Sequence, residues 1–123
     1  MNPAVKILWL QALRSGKYQQ TRNWLKRTKD GKAEHCCLGV LCEIAKVVGI
    51  VQEIELEHEH TSVCDVSWHE SAFVTNTCVS YAIPPNGVLS WAGLTRSEAE
   101  NLGDINDNGA PFSLIADHIE LRF

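Results

Sequence analysis

An almost wholly apolar stretch runs from Cys36 to Gly49 and reads CCLGVLCEIAKVVG. Its charged residues, Glu43 and Lys46, are three positions apart and therefore share one narrow edge of a helix. A helix that is hydrophobic on nearly every side is normally buried on several faces. Gly49 suits the position just beyond its C-terminus. The pattern predicts a buried central helix, with the rest of the chain packed around it.

Other segments have the spacing of amphipathic helices. Asn2 and Pro3 suit the N-cap and first position of a helix that ends at Ser15-Gly16. The predicted helices cover 3–14, a short turn at 88–91, 95–102 with a capping box at Thr95 and Glu98 and a stop at Gly103, and 111–119 after the turn-rich linker DINDNG. The expected buried positions are Val5, Leu8, Trp9, Ala12 and Leu13 in the first helix, and Phe112, Ile115 and Ile119 in the last.

Strand-forming residues dominate two of the remaining segments. Residues 21–28 and 32–36 flank a Lys-Asp-Gly turn at 29–31, which predicts a β-hairpin leading directly into the central helix. Residues 50–82 are expected to form two or three short strands, with turns near 59–62 and Asn76.

Length and composition agree with one ordinary domain. At 123 residues, with 45% hydrophobic and 21% charged residues, the chain can bury a core without a metal or a disulfide. We therefore predict an α+β fold, a single compact domain over residues 1–123. In this fold a small antiparallel sheet and three or four helices surround the central helix.

The sequence lacks the features of exported and membrane proteins. No run approaches the roughly 18 apolar residues of a membrane span. The N-terminus has no basic region before its apolar residues and no clear small-residue cleavage site. The five cysteines are an odd number, which favours reduced thiols in a reducing compartment. We expect a cytoplasmic protein without a membrane contact.

Charge is divided unequally along the chain, although the net charge is only −4. Residues 1–46 hold nine lysines and arginines against three acids, a balance of +6, whereas residues 47–123 hold two against twelve, a balance of −10. One interpretation is that the two halves attract each other, within the fold or between subunits. The other is a basic face that meets an anionic partner.

Blocks of residues along the chain resemble a group of small tailed-bacteriophage proteins. They read ALRSGKYQQ near the start, CCLGVLCEIA in the middle, WAGLT, and LGDINDNGAPFSLIADHIE near the end. The resemblance covers most of the chain in order, except residues 50–80. Ile105 stands where the group often has Met, and Ala110-Pro111 where it often has a polar residue and Ser. The resemblance implies an accessory protein of the host cytoplasm that counters host defence, by blocking a defence protein or by sequestering a nucleotide signal.

The segment from Asp104 to Gly109 begins like a calcium-binding loop, with the pattern D-x-[DN]-x-[DN]-G. The twelfth position of such a loop supplies a bidentate glutamate, but here it is Ile115. An Asx-rich turn between two helices is the interpretation that fits this missing ligand.

Histidines and cysteines in the middle of the chain raise the alternative of a zinc site. Zinc prefers nitrogen and sulfur ligands in a tetrahedron. No CxxC pair is present, so solvated histidines and buried thiols are the simpler interpretation. The candidate ligands are His58, His60, Cys64, His69 and Cys78.

No motif indicates a reaction centre. His35 precedes Cys36 and Cys37, but neighbours in sequence rarely point at each other, and burial raises the pKa of a thiol. Phosphate-binding glycine loops, GxSxG and HExxH are missing from the sequence. We therefore expect a protein that is not an enzyme and uses no cofactor.

The favoured functional cluster is basic and aromatic. Guanidinium groups bind phosphate bidentately, and an aromatic ring stacks on a base with about 1–3 kcal/mol. Alternation would put Arg22, Trp24 and Lys26 on one side of the hairpin. A solvated hairpin with one buried tryptophan is the alternative. The predicted ligand-binding residues are Arg14, Lys17, Tyr18, Arg22, Trp24, Lys26 and Arg27, with Lys29 and Lys32 nearby.

Two functions of different classes follow from these features. In the first, the basic region captures an anionic nucleotide, for instance at an interface of a homo-oligomer. In the second, an anti-CRISPR-like inhibitor uses its acidic C-terminal half to mask a basic surface of a host defence protein. The pI near 5.7 argues against binding to duplex DNA in either case.

Overall fold

The computed structural model of the chain describes residues 1–56, 68–75, 78–80 and 82–123. These residues form five helices and six strands, which confirms the predicted α+β class. The helices are α1 (Pro3–Arg14), α2 (Cys37–Val47), α3 (Asn86–Ala92), α4 (Arg96–Asp107) and α5 (Phe112–Arg122). The strands are β1 (Gln19–Gln20), β2 (Lys26–Lys29), β3 (Lys32–His35), β4 (Gln52–Leu56), β5 (Trp68–Thr75) and β6 (Cys78–Ser80).

Helix α2 is the predicted central helix. Seven of its eleven residues are buried, and Trp9 of α1 donates its indole N–H to the Cys37 carbonyl oxygen at 2.9 Å. A Cβ at Gly39 would lie 2.6 Å from the Leu25 carbonyl carbon, so the absence of a side chain lets the hairpin approach the helix. The last turn is not buried as expected, because Val47 is 84% exposed.

The hairpin forms with the turn that the sequence predicts. Asp30 and Gly31 both have positive φ angles, 52° and 77°, as a two-residue type I′ turn requires. The first strand begins at Lys26 instead of residue 21, since a positive φ of 70° at Asn23 bends the preceding segment. Within the described residues the strand order is β1-β3-β2-β5-β4, with β6 beside β5.

Strands β4, β5 and β6 confirm the strands predicted within 50–82, and their pairing is antiparallel as expected. The contact of β1 with β3 is parallel, which makes the sheet mixed. The predicted turns near 59–62 and at Asn76 fall on residues outside the described part of the chain.

Helix α4 is longer than the sequence predicted. It begins with the expected capping box of Thr95 and Glu98, but it continues through Gly103 to Asp107, so the stop at Gly103 and the DINDNG linker are wrong. A glycine within a helix costs only about 1 kcal/mol. The chain turns instead at Gly109, where φ is 101°.

Helices α1 and α5 pack on each other, and α1 also packs on α2. Phe112, Ile115 and Ile119 form the predicted buried stripe of α5. In α1 the expected stripe is narrower than predicted, because Leu8 is 46% exposed. None of the helices in the described residues has the length and apolar character needed to cross a membrane.

Candidate functional site

Two of the predicted binding residues form ion pairs near the surface. The Arg14 guanidinium lies 2.8 Å from the carboxylates of both Asp117 and Glu120 in α5. The Arg27 guanidinium lies 3.4 Å from Glu34 on the neighbouring strand. Arg14 thus joins the basic N-terminal half to the acidic C-terminal half, as the first interpretation of the charge division expects.

A third predicted binding residue, Lys26, belongs to a half-buried polar network between the sheet and α2. Its Nζ lies 3.1 Å from Glu43 and 2.8 Å from Glu53. Lys46 contacts the same two carboxylates at 2.8 and 2.7 Å. The buried His35 ring shares Glu43, with Nε2 and Oε1 3.1 Å apart. These contacts satisfy the charge of Lys26 internally.

The network lowers the pKa of both carboxyl groups. Burial raises the pKa of Glu43, but hydrogen bonds from His35 and Lys46 and the charge of Lys26 outweigh it, so the pKa falls well below 4.5. Burial also raises the pKa of Glu53, and the hydrogen bonds from Lys26 and Lys46 again outweigh it. Both carboxylates are therefore ionised at neutral pH, which suits a structural role.

Acid is expected to destabilise the fold through Glu43. Because its pKa is lower in the folded than in the unfolded chain, it contributes stability above about pH 4.5 that is lost as the pH falls. Removing one member of a buried ion pair costs about 3 kcal/mol. In urea denaturation, we expect Glu43→Gln to lose about this much at pH 7 and clearly less at pH 3. Glu100→Gln, in an exposed pair with Arg96, is the control; an equal loss at both pH values for Glu43→Gln would contradict the argument.

The other four predicted residues do not converge on a cavity in the described part of the chain. Lys17 Nζ lies 5.6 Å from the ring centroid of Tyr18, and that ring meets His35 edge-on at 5.1 Å. Arg22 is exposed, and Trp24 is half-buried. Lys17 and Arg22 are thus available to solvent, whereas Tyr18 packs against the polar network.

A small cleft does open beside the predicted hairpin, at Asn23. Its volume is about 120 Å³, and Glu100, Asp104 and Asp107 of α4 line it. A phosphate group there would meet three carboxylates, so the cleft does not suit an anionic ligand.

The three cysteines at the start of α2 and within it, Cys36, Cys37 and Cys42, do not suit nucleophilic catalysis. Burial raises the pKa of the Cys36 thiol to about 11 and holds the pKa of Cys37 and Cys42 well above the ordinary value. The Cys36 sulfur instead accepts the backbone N–H of Gly39 at 3.3 Å, which caps α2. The thiols behave as small core residues.

The described residues contain no cluster of three histidines, cysteines or acids that would hold a metal ion. Three of the proposed zinc ligands, His58, His60 and Cys64, lie outside the described residues, and His69 and Cys78 lie in β5 and β6. The zinc site stays the alternative, and the expectation of solvated histidines and buried thiols stays a prediction.

A larger groove lies between α4 and α5, away from the hairpin. It is open to solvent, and its volume is about 620 Å³. Arg122 is exposed there, and among the described residues no carboxylate pairs with it. The His118 ring meets Phe123 edge-on, with centroids 6.4 Å apart. The lining residues are Ser97, Glu98, Asn101 and Ile105 from α4, and His118, Arg122 and Phe123 from the C-terminal segment.

Comparison with known families bears on the first four-fifths of the chain. The model of a family described as a domain of unknown function, DUF8296, matches residues 1–101. The chain belongs to the DUF8296 family. No curated protein and no solved structure matches it. In this DUF8296 protein the match ends within α4, so Ser97, Glu98 and Asn101 of the groove lie inside the matched segment. Ile105 and the α5 wall lie beyond it.

The groove of this DUF8296 protein combines groups that suit an anion with a planar ring. Arg122 provides a fork of N–H donors for phosphate or carboxylate, and the imidazole of His118 adds another donor. The Phe123 ring gives a stacking surface. Ser97 and Asn101 supply polar contacts on the opposite wall.

The sequence contains a helical spacing that indicates the two walls of this groove, although no known motif includes it. His118 and Arg122 are four residues apart, as are Ser97 and Asn101, so each pair shares one face of its helix. Spacing alone did not show that the two faces oppose each other.

Proposed function

We propose that this DUF8296 protein is a non-enzymatic binding protein that captures an anionic nucleotide in the groove between α4 and α5. The observation that carries the proposal is Arg122, a guanidinium without a carboxylate partner in the described residues, beside His118 and Phe123 in a groove of about 620 Å³. Small-molecule sites occupy about 300–1,000 Å³, so the volume is sufficient.

Each part of a nucleotide finds a matching group in this groove. The phosphate meets Arg122 and His118, where charge-assisted hydrogen bonds are strong. The base stacks on Phe123. The sugar hydroxyls lie towards Ser97 and Asn101 on α4. Glu98 limits the negative charge that the groove accepts, which favours a ligand with few phosphates.

The groove is a better candidate than the hairpin for electrostatic reasons. Arg14, Lys26 and Arg27 already contact carboxylates of their own chain. A ligand phosphate would have to displace those carboxylates, and the gain in free energy would be small. Arg122 has no such competitor in the described residues.

The cellular role that we propose follows from the phage resemblance of the sequence blocks. A small protein that binds a nucleotide without converting it would lower the concentration of a defence signal in the host cytoplasm. The buried, protonated thiols Cys36, Cys37 and Cys42 support a binding protein over a cysteine enzyme.

We expect a nucleotide to raise the melting temperature of the protein, and Arg122→Ala to weaken binding about tenfold or more. A thermal-shift screen of linear and cyclic nucleotides finds the ligand, and titration calorimetry measures its affinity for each variant. Binding at a hundredfold excess over Kd adds about 2.7 kcal/mol of stability, which such a screen detects.

Arg96→Ala is the matched control, because Arg96 is an exposed arginine of α4 that pairs with Glu100 and does not line the groove. Its affinity should equal that of the parent. Should Arg22→Ala abolish binding while Arg122→Ala leaves it intact, the ligand occupies the hairpin as the sequence predicted. Should no nucleotide change the melting temperature, nucleotide capture is wrong.

A second function, masking of a basic surface on a host defence protein, is favoured by the carboxylates of α4, of which Glu100 and Asp104 are exposed and Asp107 is half-buried. Glu100, Asp104 and Asp107 lie on one face of the helix, and only Glu100 has a cationic partner among the described residues. Reversing the exposed Glu100 and Asp104 to Lys would abolish co-purification with such a partner but leave nucleotide affinity unchanged. The two functions are therefore separable.

A further inference from the structure

The α4 wall of the groove carries a carboxylate that the start of the helix holds in place. Glu98 lies in the first turn of α4, lines the groove and is half-buried. Its Oε1 accepts the backbone N–H of Thr95 at 2.9 Å, and its own backbone N–H donates to Thr95 Oγ1 at 3.1 Å. These reciprocal hydrogen bonds form the cap of the helix. Moving the Glu98 side chain out of the groove would therefore break the cap.

The second carboxylate oxygen of Glu98, Oε2, is available to a ligand. In the part of the chain that the structure describes, it has no hydrogen bond or ion pair, and the nearby Arg96 pairs with Glu100 instead. A carboxylate accepts hydrogen bonds and donates none, whereas the guanidinium of Arg122 on the opposite wall only donates. A ligand that satisfies both walls therefore carries an anionic group for Arg122 and N–H donors for Glu98.

Among the common bases, guanine has the edge that best matches a carboxylate. Its N1–H and its N2 amino group lie side by side, and both donate. Adenine and cytosine each place an amino group beside an unprotonated ring nitrogen, whose lone pair a carboxylate repels. In uracil the N3–H lies between two carbonyl oxygens, which a carboxylate also repels. Glu98 therefore favours guanine over the other bases.

We propose that the groove prefers a guanine nucleotide, and that Glu98 sets this preference by accepting hydrogen bonds from N1–H and N2–H of the base. The inference rests on the nucleotide capture proposed above and adds the identity of the base. Glu98 and Phe123 line the same groove, each near the end of its helix that is farther from the connection 108–111. In this arrangement the base stacks on Phe123, and its donor edge faces Glu98.

Titration calorimetry of the parent protein with GMP, IMP and AMP tests the preference for guanine. The three nucleotides share the ribose phosphate and differ in the edge of the base: IMP lacks the N2 amino group, and AMP lacks N1–H as well. GMP should bind at least about tenfold tighter than AMP, with IMP between them. Equal affinities for GMP and AMP overturn the guanine inference but leave nucleotide capture standing. Absence of binding for every nucleotide overturns both.

Glu98→Gln tests whether this residue sets the preference. Glutamine keeps the cap, because its side-chain oxygen still accepts the Thr95 N–H, but it presents an amide N–H to the base. Loss of the charge raises the affinity for every phosphate ligand, so the readout is the ratio of the GMP and AMP affinities, in which this common effect cancels. The ratio should fall at least about tenfold. Glu100→Gln, exposed on α4 outside the groove, should keep the parent ratio. An unchanged ratio in a folded Glu98→Gln protein, as judged by circular dichroism, overturns the assignment to Glu98.

Discussion

Gly39→Ala is expected to unfold the protein or to lower its stability by more than about 4 kcal/mol. An added Cβ would overlap the Leu25 carbonyl oxygen and lie 3.2 Å from the Leu25 Cα. Both are backbone atoms held in the entry to the hairpin, so no side-chain rotation can relieve the overlap. Helix α2 would have to move away from the sheet. Circular dichroism and urea denaturation measure the loss.

Gly103→Ala is the matched control for this experiment, because Gly103 is also a glycine within a helix and is half-buried. Its Cβ would lie 3.5 Å from Leu38 Cδ1, an ordinary van der Waals contact. Alanine favours helix over glycine by about 1 kcal/mol, so this variant should be as stable as the parent or more stable. If both variants lost the same stability, helix flexibility and not the Leu25 contact would be the cause.

Asn106→Ala is expected to cost about 3 kcal/mol and to lower the melting temperature by about 10 °C. The Asn106 side chain is fully buried at the end of α4. Its oxygen accepts N–H groups from Cys37 at 3.1 Å and Gln20 at 2.9 Å, and its nitrogen donates to the Thr21 carbonyl oxygen at 2.8 Å. Alanine leaves the Cys37 N–H and the Thr21 carbonyl oxygen without their side-chain partner at buried positions. Differential scanning calorimetry measures the change.

Two further substitutions separate hydrogen bonding from local helix effects. Asn106→Asp keeps the accepting oxygens but loses the donor to Thr21 and buries a charge, so it should be at least as harmful as alanine. Asn108→Ala alters an exposed asparagine two residues away and should change stability by less than about 0.5 kcal/mol. A mild effect of Asn106→Ala would mean that water replaces the missing amide.

The parts of the fold that are determined by residues close together in the sequence could be predicted from the sequence. The apolar run of α2, the cap at Asn2 and the Asp30-Gly31 turn are all local signals, and each is present in the structure. The end of α4 could not be predicted in this way. The letters DINDNG favour a turn, but the buried hydrogen bonds of Asn106 to residues more than sixty positions away hold the segment in the helix.

The candidate site was harder to predict than the fold, for a related reason. A cluster of basic residues in the sequence does not show which of them will form ion pairs with carboxylates from distant segments of the chain. Arg14 finds its partners about a hundred residues later, and Lys26 finds Glu53. Arg122 has no other lysine or arginine near it in the sequence, so no charge pattern pointed to it. In the structure it lines the groove and has no carboxylate partner among the described residues.

The burial of α5 in the core predicts how a protein truncated at the end of the family match would behave. The family match stops at residue 101, but Ile115, Ala116 and Ile119 of α5 are fully buried against the rest of the chain. A fragment that ends at residue 101 would divide α4 and lack Asn106. It would also expose to solvent the apolar core residues that α5 covers. Such a fragment should aggregate, because folding needs the buried residues of α5 through Ile119 as well as the matched segment.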